Sequence, residues 1–133
     1  MMFLSPFRPQ LLSVFRIMAA LLILQHGTTK ILDFPVGPMN DVPLTGAIGI
    51  AGFFELVFGA LLAIGLFSRL SAFILSGLTA AAYWLAHAPQ GFFPLLNGGE
   101  LAALYCFAML YLAAAGPGPW SVDALRGSES AAA

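Results

Sequence analysis

Residues 45–67 read TGAIGIAGFFELVFGALLAIGLF, an apolar run whose one charge is Glu55. About 20 such residues, rising about 1.5 Å each, cross the roughly 30 Å hydrocarbon core of a bilayer. A charge at the centre of a spanning helix costs roughly 2.5–3.5 kcal/mol, so it normally faces protein rather than lipid. Arg16 interrupts the first apolar run in the same way. These two positions are where a site is sought.

Working outward, the whole chain has the composition of a membrane protein. Of 133 residues, 60% are hydrophobic and 8% charged, against about a quarter charged in soluble proteins. The length holds about four spans and leaves little for a soluble domain. A formal net charge of -1, with no dense Lys and Arg run, excludes a nucleic-acid surface. Cys106 is the single cysteine, so one copy builds neither a disulfide nor a paired-thiol relay. The first apolar run resembles a signal peptide in length, but Arg16 interrupts it and no small-residue cleavage site follows, so a retained helix is expected.

The predicted fold class is therefore all-α: a single polytopic membrane domain over residues 1–133, with four transmembrane helices in an antiparallel bundle. The spans are expected at about 11–32, 45–67, 69–88 and 98–115. Pro35, Pro38 and Pro43 mark one irregular connection, and Pro89, Gly91 and Pro94 another. Thr45 is the expected N-cap of the second span, Gly65 its end, and Asn97 the cap of the fourth. Ser121 is expected to cap a short interfacial segment beside Trp120, and the alanine-rich tail after Ser128 is expected to be disordered. Arg8, Arg69 and Arg126 fall on one side, and the positive-inside rule places both termini in the cytoplasm.

At 100° per residue, Arg16, Ala19, Ala20, Ile23, His26, Gly27 and Lys30 share an arc of about 120° on the first helix. That face, with its small residues, is expected to pack on neighbouring helices. Gly52 and Gly59 flank Glu55 and turn it inward. By helical rise, Glu55 lies near the midplane, Arg16 roughly 9 Å toward the cytoplasm and His26 roughly 6 Å outward. Arg16 or His26 is its expected partner. Lys30, His87 and Glu100 would line an outer vestibule above it.

Each assignment has a structural alternative. Arg16 and Glu55 can form an ion pair that only fixes register. Lys30 can snorkel to the headgroups, and Glu100, three residues after Asn97, fits a capping box and the helix dipole. His87 at a helix end reads as solvated. Haem ligation by His26 and His87 is disfavoured by their different depths, and no metal-ligand spacing is present. Tyr83, Trp84, Phe53, Phe54 and Phe58 line a planar-ring pocket or serve as packing and belt residues.

Phe15-Arg16, then His26-Gly27-Thr28-Thr29-Lys30, Glu55, Gly65-Leu66, Arg69, Asn97, Glu100 and Gly116-Pro117-Gly118-Pro119-Trp120-Ser121-Val122-Asp123 together resemble the DoxX family. The resemblance spans nearly the whole chain. It implies a four-helix inner-membrane protein with Arg16, His26, Lys30, Glu55 and Glu100 facing the bundle interior. The family name comes from subunits linked to quinone reduction in sulfur oxidation, while other members are associated with oxidative-stress enzymes.

The leading functional expectation is a redox-associated membrane subunit that binds a quinone or similar planar lipid-soluble molecule. His26 and Glu55 would exchange protons as catalytic groups, while Arg16, Lys30, Trp84 and Glu100 would bind the ligand. Electrons would come from a partner redox protein, so the chain alone would be one subunit of a quinone-linked oxidoreductase. The alternatives are a small-solute or proton-coupled transporter, completed as a homo-oligomer, and a non-catalytic membrane anchor.

Overall fold

Arg8 begins a helix whose second residue, Pro9, has the φ of a helical first turn and no N–H to leave unsatisfied. The computed structural model describes residues 2–127, and every regular element among them is helical. A 3-10 turn, Met2–Phe7, leads into α1, Arg8–Ile31. Then follow α2, Ala47–Ile64, and α3, Ser68–Ala82. A π-helical turn at Tyr83–His87 and a 3-10 turn at Ala88–Gln90 extend α3. The short α4, Pro94–Asn97, precedes α5, Glu100–Ala115, and α6, Val122–Leu125. The alanine-rich tail expected to be disordered lies outside the described residues.

Among the described residues, three stretches are long and apolar enough to cross a membrane: Met2–Ile31, Ala47–Ile64 and Ser68–Gln90. The fourth expected span is shorter, the 16 residues of α5. It starts at Glu100 because Gly98, the left-handed cap that ends α4, and Gly99 separate it from that short helix. Gly65 ends α2 in the left-handed conformation at φ 75°, as expected from its position. Neither Thr45 nor Asn97 caps a long helix: the caps of α2 and α5 are Gly46 and Gly99, with no side-chain bond.

Successive long helices run antiparallel. Gly27 faces Leu56, and Gly59 faces Leu24, so numbers rise on α1 as they fall on α2. The approach is close enough that a Cβ on Gly27 would stand 2.7 Å from the Leu56 Cα. On the other side, Ser76 Oγ donates to the Cys106 carbonyl at 2.8 Å, and Arg69 Nη1 to that of Ala113 at 3.0 Å, which fixes α3 against α5. Ala20 and Ile23 of α1, Leu62 of α2, Ala72 and Leu75 of α3, and Met109 and Leu112 of α5 meet in one core. The outer faces carry Phe53, Phe73, Phe107 and other exposed apolar side chains, as suits contact with lipid.

After α5 the chain turns back across the end of the bundle. Ser121 Oγ caps α6 by accepting from the Ala124 N–H at 3.1 Å, as its position predicts. The Asp123 N–H then donates to the Gly65 carbonyl at 2.9 Å. Its carboxylate accepts from the N–H groups of Phe67 at 3.0 Å and Ser68 at 2.8 Å, capping the start of α3 from a distant segment.

This cap gives stability an acid limit. Burial pushes the Asp123 carboxyl up, but the Ser68 and Phe67 N–H donors and the Arg126 charge outweigh it and hold the group below its ordinary value. With the folded value depressed, the stabilisation is complete above the unfolded value of about 4 and is lost as pH falls through the folded one. The thermal midpoint in detergent is expected to hold from pH 7 to about pH 4 and then drop, with Asp123→Asn flattening the drop. An unaltered acid profile in that variant would contradict the cap.

Candidate functional site

The buried face of α1 comprises Ser13, Arg16, Ala19, Ala20, Ile23, Gly27 and Lys30, close to the arc drawn from helical spacing. Its two cations do different things. Lys30 lies across Gly52 of α2, and its ammonium donates to both carboxylate oxygens of Glu55, at 2.7 and 3.0 Å. Both side chains are largely buried, at 8% and 13% exposure. A pair sharing two short contacts away from water offsets much of the desolvation either charge would suffer alone.

Arg16 does not partner Glu55. It points to the opposite end of the bundle, where Nη2 donates to the Trp120 carbonyl at 2.7 Å and the Ala63 carbonyl at 3.4 Å, and Nη1 donates to Pro117. The planar guanidinium thus gathers carbonyls that the end of α2 and the Gly116–Trp120 turn cannot satisfy internally. Ser13 Oγ adds to the same seam by accepting from the Trp120 N–H at 3.1 Å. Gly65 makes room: a Cβ there would fall 2.9 Å from Arg16 Nη1. Arg16 is a fastener for the C-terminal turn rather than an orienter of Glu55.

The other expected site residues are spread around the end of the bundle that holds Lys30. His26 is half-buried, and its imidazole makes no hydrogen bond to a described residue. Glu100 is exposed in the first turn of α5, where its charge suits the helix N-terminus, and it does not face the interior. No capping box forms: Asn97 Oδ1 accepts from the Gly99 N–H at 2.8 Å instead. Trp84 is 70% exposed on the π-helical turn.

Trp84 also forms part of a half-open cleft of ≈ 520 Å³ between the end of α3 and the start of α5. Ala80, Tyr83, Phe92, Cys106 and Phe107 are among its other walls. Single-turn π-helices recur at functional positions, and ligand clefts commonly measure about 300–1,000 Å³ with mostly apolar linings. Behind the cleft, Asn97 is buried, and its Nδ2 donates to the Gly91 carbonyl at 2.9 Å and to the Tyr83 hydroxyl at 3.4 Å. His87, read from its position as solvated, is half-buried instead: Nδ1 lies 3.1 Å from the Asn97 carbonyl, and the ring stacks on Tyr83. Among the described residues, no three His, Cys, Asp or Glu side chains stand together as metal ligands.

The DoxX family model matches residues 11–88. The chain belongs to the DoxX family. Two Haemophilus influenzae proteins, each described only as an uncharacterized protein, are similar to it. One is 42% identical over 128 residues, covering 90% of this chain and 93% of the relative. The other is 34% identical over 102 residues, covering 76% and 67%. No solved structure matches with significance. Family and apolar helices together make this DoxX chain a membrane protein in contact with lipid. The matched segment contains Arg16 and the Lys30–Glu55 pair, while the carbonyls of Pro117 and Trp120 and the α5 wall of the cleft lie beyond it.

Proposed function

We propose that this DoxX chain is a redox-associated subunit of the inner membrane that takes a quinone, or a similar planar lipid-soluble ring, into the cleft beside Trp84. The observation that supports this most directly is the cleft itself: aromatic-walled, half-open and flanked by side chains exposed on the outer surface. In this reading α5 completes four crossings, both termini are cytoplasmic, and a ligand dissolved in the bilayer enters sideways. Reduction adds two electrons, supplied by a partner redox protein, and two protons to give the quinol. His26 and the Lys30–Glu55 pair are the protonatable groups assigned to that exchange, since an ammonium–carboxylate pair can pass a proton between its members without leaving a net charge buried.

Nanodiscs containing the chain with Trp120→Phe leave Trp84 as the single indole, since the sequence has two tryptophans. A short-chain benzoquinone is expected to quench its fluorescence saturably, and Ala103→Phe, which fills the cleft, is expected to weaken binding at least tenfold. Binding unaffected by Ala103→Phe would remove the cleft from the function. For the proton role, Glu55→Gln is expected to bind the quinone normally but to slow its reduction in membranes supplying the partner; full activity would remove Glu55 from the mechanism.

A non-catalytic anchor is the second reading, favoured by both terminal nitrogens of Arg16 being engaged by backbone carbonyls, those of Pro117 and Trp120 in the C-terminal turn among them. It predicts that Ala103→Phe leaves partner recruitment and partner activity untouched.

A further inference from the structure

Asn97 fixes the direction of the hydrogen bonds at the back of the cleft. Its Oδ1 must be the atom that meets the Gly99 N–H, because only the oxygen accepts, so the other terminal atom is the Nδ2 amide. That amide donates to the Tyr83 oxygen at 3.4 Å as well as to the Gly91 carbonyl. The Tyr83 oxygen is then an acceptor toward Asn97, and its own proton is left to donate elsewhere. Tyr83 is a wall of the cleft. The His87 ring is constrained by the same logic, for a backbone carbonyl only accepts: Nδ1 carries the proton that meets the Asn97 carbonyl at 3.1 Å. In a neutral ring this leaves Nε2 as a base, with the ring stacked on Tyr83.

On the proposed function as a base, we infer that the Tyr83 hydroxyl is the ligand-selecting group of the cleft. It donates to a carbonyl oxygen on the planar ring, while Asn97 acts as the positioning residue that turns the phenolic proton outward. The occupant so selected is an aromatic-sized ring bearing an acceptor oxygen. A plain acyl chain or hydrocarbon ring gains nothing from the donor and leaves it unpaired, which is the stronger discriminator of the two effects. The surrounding walls, Trp84, Phe92 and Phe107 among them, supply apolar area without direction.

The test uses the nanodisc assay with two probes of equal chain length, a short-chain benzoquinone and the corresponding alkylbenzene without oxygens. The wild type is expected to prefer the quinone. Tyr83→Phe is expected to weaken quinone binding about 3- to 10-fold, the equivalent of one neutral hydrogen bond, and to leave alkylbenzene binding unchanged. An unchanged thermal midpoint in Tyr83→Phe would confirm that the bundle is intact. Equal quinone binding in wild type and Tyr83→Phe, together with loss in Ala103→Phe, would overturn the donor while sparing the cleft. Equal affinity of the wild type for both probes would overturn it too and make the cleft a seat for lipid chains. Quinone binding indifferent to Ala103→Phe would instead sink the functional reading beneath it.

Discussion

Replacing Arg16 by Met is expected to destabilise the folded chain by about 3–5 kcal/mol and to expose the Gly116–Trp120 turn to protease. Arg16 is 1% exposed, and its removal strands the carbonyls of Pro117, Trp120 and Ala63, each worth about 1–3 kcal/mol when buried without a donor. Water reaching the end of the bundle relieves some of that sum, which sets the lower figure. Arg16→Lys should recover little, because one ammonium on a flexible stem does not span three carbonyls gathered by a rigid fork. Unfolding from dodecylmaltoside into SDS, followed by circular dichroism, would measure the loss. A change below about 1 kcal/mol would mean that the turn stays docked by other means. A double-mutant cycle with Glu55→Gln should be additive within about 0.5 kcal/mol. Glu55 packs near Gly27, and the stretch of helix from residue 16 to 27 is about 16 Å long.

The second large effect is expected at the other end of the bundle, with the opposite coupling. Lys30→Met removes the cation from a carboxylate that is 13% exposed, and an uncompensated buried charge costs about 3–5 kcal/mol. Adding Glu55→Gln should return most of it, leaving the double variant within about 1–2 kcal/mol of wild type, since a buried pair is often replaced at little net cost. The expected coupling energy is therefore about 2–3 kcal/mol plus whatever Glu55→Gln costs alone. Additive single effects would show that the two side chains do not depend on each other in the bilayer.

How much of this was legible in the sequence depended on whether both partners carry side-chain signals. The buried face of α1 followed from helical spacing because Ala19, Ala20, Ile23 and Gly27 are apolar or small and repeat with the turn. Gly65 was recognisable as a helix end because only glycine sits easily in the left-handed conformation it adopts. The partner of Arg16 was not legible: Pro117 lies 101 residues away and offers a backbone carbonyl, and a carbonyl leaves no residue-type signature. Lys30 was assigned a depth from its Cα. Its four-carbon stem lies back over Gly52 and delivers the ammonium a turn deeper, to Glu55. The Tyr83–Asn97–His87 cluster was obscured because each member has an ordinary reading on its own, as belt, cap or solvated end. Their meeting depends on the π-helical turn, which periodicity at 3.6 residues does not anticipate.

The bond from Arg16 to Trp120 spans 104 positions. At roughly 5–20 residues per second, the ribosome needs on the order of 5–20 s to deliver the acceptors after the guanidinium has emerged. During that interval the guanidinium lacks the two carbonyls of the closing turn, and of its acceptors only that of Ala63 has been made. Its set of acceptors is therefore complete only when the closing turn arrives. Docking of the first helix is in that sense completed by a segment made long after it.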